Sequence, residues 1–214
     1  MRIEVITVWE HQATLAPFFL EHYRFADRIH VLVDARTDEA TLATCGRYPN
    51  VGVERIQLPE GFDAEQKVAE VNRVYRRLAC DWVFAVDADQ LLFPLPWGTE
   101  QRPALNREHD FDAIGTRIWQ VYRHRSEFDL DPRRVAVTQR RHGDPHPAEG
   151  AGASASRPII VRGGLDGAWT SGLDAFGKAG LRVSPERFGG AHWDTADLPP
   201  GAERDRHLDD PRLF

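Results

Sequence analysis

Residues 3 to 86 alternate short β-rich runs with segments of helical period, and that alternation restricts the fold more than any other feature of the chain. Ile3 to Val8, Arg28 to Val33, Val51 to Leu58 and Trp82 to Val86 read as strands, rich in β-branched and aromatic residues. Between them, Leu15 to Phe25 sets Leu15, Phe18, Phe19, His22 and Tyr23 at helical spacing. Asp38 is placed to cap a short helix from Glu39 to Cys45. Pro59 and Gly61 break the third strand, and an amphipathic helix follows from Ala64 to Leu78. Parallel neighbours need crossovers of a dozen or more residues, and helices supply them here. The expected fold is α/β, with a mostly parallel central sheet flanked by helices.

The chain has 214 residues, which fits one domain able to bury a core without disulfides. Residues 1–95 form the more regular half. In residues 96–214, Phe111 to Tyr122 and Arg157 to Arg162 read as strands, and Arg134 to Arg140 as a weaker one. The segment HGDPHPAEGAGASAS, residues 142–156, has almost no large apolar side chain to offset its ordering entropy, so a mobile loop is expected there. The tail from Thr195 is polar and proline-rich.

A net charge of −6 excludes a general nucleic-acid binder, which needs a basic face. Cys45 and Cys80 are too few for a disulfide framework or a thiolate zinc site. The N-terminal run lacks the pattern of a secretory signal, and no apolar run approaches the ~20 residues that span a bilayer. A cytoplasmic protein is expected, with peripheral membrane contact left open.

In open parallel sheets, ligands bind beyond the carboxyl ends of the strands. Glu10 follows the first strand, Asp34 and Asp38 the second, and Asp87 with Asp89 the fourth, in WVFAVDADQLLF. Carboxylates gathered at one edge repel one another unless a cation joins them. Mn2+ or Mg2+ takes only one or two protein carboxylates and fills its shell with phosphate oxygens and water. An Asp-x-Asp pair suits that division.

The run WVFAVDADQLLF, with VWEHQATLAPFFLEHYRFADRIHVLVD upstream, resembles nucleotide-sugar glycosyltransferases of the GT-A (Rossmann-like) fold, close to the family 2 type. The resemblance rests on Trp9-Glu10, on LAPFFLEHY at 15 to 23, on Asp34 to Asp38, on Asn72 and on the DxD pair, and is tightest over the first 95 residues. It implies a single metal-dependent glycosyltransferase domain, hexosyltransferase-type, acting on a nucleoside-diphosphate sugar and an acceptor hydroxyl with inversion. Carried over, Glu10 and Asp38 lie near the nucleoside and Asp34 at the base or ribose. Asp87 and Asp89 hold the diphosphate through the metal. RPIIVRGGLDGAWTSGLDAFG looks like a "W-x-x-G-N-H-D" segment of related enzymes, with Leu173 in the histidine position and Asp174 as the catalytic base. In RFGGAHWD the glycines allow close backbone approach, and His192 resembles the late histidine that completes the metal site.

Two other readings use the same acidic edge. One is a metal-dependent nucleotidyl- or phosphotransferase, which no Walker-type glycine loop favours here. The other is a non-catalytic partner subunit of the same fold.

Overall fold

A computed structural model describes residues 1–58, 63–96, 98–122, 142–145, 156–173 and 175–193. The first half follows the expected alternation: β1 (Ile3–Trp9), α1 (Ala16–His22), β2 (Arg28–Asp34), α2 (Glu39–Cys45), β3 (Val51–Ile56), α3 (Ala64–Tyr75) and β4 (Trp82–Ala85). Asp38 accepts the Thr41 amide at 2.8 Å and so caps α2, and Asp63 accepts the Glu65 amide at 2.9 Å at the start of α3. The second half comprises β5 (Gln90–Pro94), α4 (Gln101–Asn106), β6 (Ala113–Tyr122), β7 (His142–Pro145), β8 (Ser156–Arg162), β9 (Ala168–Trp169), β10 (Phe176–Gly177) and β11 (Val183–Trp193).

A nine-stranded sheet runs in the order β3-β2-β1-β4-β8-β6-β11-β5, with β7 beside β6. The β3-β2-β1-β4 portion is parallel, as the alternation predicts. Beyond it the sheet is mixed: β8 is antiparallel to both β4 and β6, and β5 is antiparallel to β11. β6 and β11 are parallel, while the returns through β8, β7 and β5 are antiparallel.

The expected loop at 142–156 is corrected at its ends. His142–Pro145 pairs with Trp119–Tyr122 as β7, and Ser156 already belongs to β8. Backbone pairing of this kind needs no apolar side chains. Residues 146–155, the weak strand at 134–140, Pro59, Gly61 and the tail from Thr195 lie outside the described residues.

Alternate residues of the central strands enter two cores, one on each face of the sheet. Ile3, Val5 and Trp9 of β1 join Trp82 and Phe84 of β4 on the face packed by Phe19 of α1 and by Tyr23 at its C-cap. Ile6, Val8, Val83 and Ala85 face Val68, Val71 and Tyr75 of α3. Burial on both faces is why these strands read as continuous apolar runs.

Strand β5 lies at the sheet's edge, and α1 supplies partners for its free backbone. His22 Nε2 donates to the Leu92 carbonyl at 2.7 Å. The Tyr23 hydroxyl donates to the Gln90 carbonyl at 2.9 Å and accepts the Leu92 amide at 3.0 Å. Such satisfaction removes an open edge that would otherwise recruit another strand. It also ties α1 to the residue directly after the DxD pair.

His22 is buried, and its desolvation lowers the imidazole pKa from 6.5 to about 4 despite the carbonyl bond. The unfolded chain therefore binds this proton first. The neutral imidazole's contribution is whole above pH 6.5 and is lost as the pH falls towards 4, roughly 3 kcal/mol in all by linkage. Urea midpoints at pH 7 and pH 4.5 should show that loss in the wild type. In His22→Gln the loss over the same window should be much smaller, and equal pH slopes in the two proteins would contradict it.

Among the described residues, no helix is long and apolar enough to cross a membrane.

Candidate active site

The parallel register sets the ends of β1 and β2 side by side and ends β4 three residues short of them. Trp9 pairs with Val33, so Glu10 leaves β1 beside Asp34, and Ile6 pairs with Ala85, so β4 ends two residues before Asp87. Trp9 itself is fully buried, stacked edge-on against Phe19, with its indole N–H donated to Thr7 Oγ1 at 2.8 Å.

Asp34 is 1% exposed. Its Oδ1 accepts the Arg36 amide at 2.9 Å and Arg36 Nε at 2.6 Å, and its Oδ2 accepts the Leu58 amide at 3.0 Å. The Arg36 side chain, aided by these amides, holds the carboxyl down to about pKa 2. Arg36 also reaches Glu10 Oε1 at 3.2 Å, so one guanidinium bridges the ends of β1 and β2. Asp38 spends both oxygens on Thr41, amide and hydroxyl each at 2.8 Å, with His11 Nδ1 at 3.5 Å. His11 has φ 47°, a left-handed conformation uncommon for a non-glycine residue, in the turn that leaves β1. Glu10 and Asp38 thus border one rim, while Asp34 lies beneath it.

The DxD pair occupies a tight turn between β4 and β5. The Val86 amide makes a ladder bond to the Ile6 carbonyl at 3.1 Å, and the Gln90 amide then closes onto the Asp87 carbonyl at 3.0 Å. Gln90 Oε1 accepts the Asp87 amide at 3.3 Å, so this buried side chain shapes the turn. Lys67 of α3 places its ammonium on Asp87 Oδ1. His192 lies opposite Gln90 in the β11–β5 ladder and donates Nε2 to Asp89 Oδ2 at 3.1 Å. Gly189 and Gly190 do permit close approach, but to side chains. An added Cβ would meet the Phe93 and Trp119 rings at 2.5 and 2.6 Å, or Ile118 Cδ1 at 2.4 Å.

Two observations bear on a divalent ion. Asp89 Oδ1 is buried and has no hydrogen-bond partner, so an oxygen-seeking cation at the turn would satisfy it. Among the described residues, however, no three acidic, histidine or cysteine groups form a set that could hold a metal. Asp87 faces Lys67 while Asp89 faces His192. A hard cation takes only one or two protein carboxylates, so one here would draw the rest of its shell from other oxygens.

Asp174 lies outside the described residues, but its neighbours are defined. Phe176 pairs with Trp169, and the Thr170 amide donates to the Ala175 carbonyl at 2.9 Å, so β9 and β10 form a narrow hairpin. Gly172 (φ 75°) and Leu173 (φ 58°) are consecutive left-handed residues, a conformation costing a leucine about 1–2 kcal/mol. Leu173 is buried with Val68, Val71 and Trp169, so it packs the core from the position where the resemblance places a histidine. Asn72 of α3 holds this hairpin, donating to the Trp169 carbonyl at 2.9 Å and accepting its amide at 2.8 Å. One helix therefore positions both Lys67 and the hairpin.

Local pattern singles out neither Lys67 nor Arg36. Lys67 carried a signal, since it and Lys178 are the only lysines in the chain. Arg140 and Arg141, which flank the expected loop, lie outside the described residues.

No protein-family model and no curated protein matches the chain. Among solved structures it is similar to S. aureus TarS 1-349, with a TM-score of 0.41 at 15% identity, over 61% of this chain and 38% of that one. The same TarS chain in complex with UDP-GlcNAc gives 0.41 at 17% identity, over 61% and 37% of the two chains. Its complex with UDP gives 0.42 at 14% identity, over 61% and 38%. The chain thus spans under two fifths of the length of these structures.

Proposed function

We propose that this chain is a metal-dependent glycosyltransferase that moves a sugar from a nucleoside-diphosphate sugar to an acceptor hydroxyl, with inversion. The observation that carries the reading is the turn at Asp87–Asp89. It sits past the end of the interior strand β4, its two carboxylates are faced by Lys67 and His192, and Asp89 Oδ1 is buried without a partner. Mn2+ or Mg2+ held by Asp87 and Asp89, with His192 beside them, would supply Lewis-acid stabilisation of the departing diphosphate.

The chain's own residues divide the remaining work. Glu10 and Asp38, on the rim shared by β1 and β2, receive the nucleoside. Asp34 acts beneath them by holding Arg36 and the Leu58 amide in place. Asp174, which follows Leu173 in the sequence, takes the proton from the acceptor hydroxyl as it attacks the anomeric carbon. Such a division needs no glycine-rich phosphate loop.

Melting curves with nucleoside diphosphates, with and without Mn2+, test the reading directly. UDP and UDP-GlcNAc are the first probes, followed by other bases. Stabilisation that requires both nucleotide and metal supports it, whereas no response to any nucleotide favours the non-catalytic alternative. His192→Ala should then weaken metal-dependent nucleotide binding by roughly 10–100-fold, the range for a group in or beside a metal's shell. An unchanged nucleotide Kd across several Mn2+ concentrations would leave His192 as a structural partner of Asp89 only.

A further inference from the structure

The pairing of Lys67 with Asp87 joins a helix to the candidate metal site. The Lys67 side chain is 14% exposed and the Asp87 side chain 26%, so the pair is partly withdrawn from water. Asp87 and Asp89 are one residue apart on one turn, and like charges so close need counter-charges. Lys67 supplies one for Asp87, and His192 hydrogen-bonds Asp89.

We propose that Lys67 is a resident counter-cation that changes partners. It holds Asp87 while no donor is bound, and turns to the donor's diphosphate when a divalent cation takes that carboxylate. This rests on the reading of Asp87 and Asp89 as the diphosphate site.

Three features support the exchange. Asp89 Oδ1 stays buried and without a partner while the acids and His192 form no set that could hold a metal, and Asp87 is the member turned to an internal cation. Releasing Asp87 from Lys67 frees it to join Asp89. Next is the choice of side chain. Ion pairs at Asp34, Glu54 and Asp27 are made by Arg36, Arg73 and Arg102, and Lys178 shares Asp112 with Arg182, whereas this pair is made by Lys67. A lysine is a compact charge on a flexible four-carbon stem, with three donors that re-aim easily, where arginine's planar fork favours one fixed geometry. Last is the anchoring of the helix. Asn72 fixes α3 to the Trp169 backbone through two hydrogen bonds, so the ammonium can swing while the helix stays in place.

Exchange couples two ligands. Metal alone must displace Lys67 from Asp87 and binds weakly. A diphosphate offers the displaced ammonium a new partner, so each ligand strengthens the other by the same factor.

Calorimetric titrations of Mn2+ alone, and of inorganic pyrophosphate at saturating Mn2+, test this on wild type, Lys67→Met and Lys67→Arg. Lys67→Met should bind Mn2+ alone more tightly and pyrophosphate with Mn2+ more weakly, each by roughly 10–100-fold as for other charged neighbours of a metal ligand. Lys67→Arg should keep near wild-type affinity for Mn2+ alone. Lys67→Gln replaces the methionine variant if that one melts early. Shifts of both affinities in the same direction, or a change in only one or neither, overturn the exchange and leave the metal site standing. Absence of Mn2+ binding to every protein, with or without pyrophosphate, removes the metal site itself and the exchange with it.

Discussion

Asp89→Asn lowers the turnover of nucleotide sugar by at least roughly 10²–10³-fold, the cost typical of removing one stabiliser of transition-state charge. The asparagine is isosteric, and the site it occupies is a turn at the sheet's edge with the side chain 24% exposed. Its melting temperature should therefore stay close to that of the wild type. Asp87→Asn should lose activity similarly, with a somewhat larger effect on stability because the ion pair with Lys67 is lost. Hydrolysis of a donor panel is the measurement, since it needs no acceptor. Retention of most of the wild-type rate by both variants, with the fold intact, would remove the metal-site reading.

Asp34→Ala acts on the other side of the balance. It strips the partners from two backbone amides, Arg36 and Leu58, and leaves the Arg36 guanidinium without its closest carboxylate. Leaving a buried amide such as that of Leu58 without its acceptor costs about 1–3 kcal/mol, while Arg36 keeps water and Glu10. With Asp34 only 1% exposed, the loss should fall within that range in urea unfolding at pH 7. The sign with pH follows from the lowered pKa. The carboxylate's contribution is present above its ordinary value of 3.8 and disappears as the pH falls through about 2. Wild type and Asp34→Ala should therefore converge in stability on acidification. Asp34→Asn, which keeps an acceptor, should lose less. A loss under about 1 kcal/mol for Asp34→Ala would mean that the end of β2 is not held by this network.

Much of the candidate site could be read from local pattern. The apolar run Trp82 to Val86 ends at Asp87 because a strand leaving a core must return to water. Asp38 lies before α2 because its short side chain reaches the Thr41 amide within one turn. The strand and helix periods of residues 3 to 86 likewise act over a few neighbours, so the parallel half of the sheet was visible without coordinates.

The partners of those residues were decided elsewhere. Lys67 meets Asp87 across 20 residues, and His192 meets Asp89 across 103. His22 and Tyr23 find the β5 backbone about 70 residues away. No periodicity encodes such pairs. They depend on strand order, on the antiparallel choice of β5 and β11, and on the register that sets His192 opposite Gln90. Side chains alternate faces along a strand, so a slip of one residue would turn His192 away from Asp89 altogether. By itself, the sequence determined which carboxylates stand at strand ends. Only the packed sheet decided which cations face them, because register is set by the burial of both faces at once.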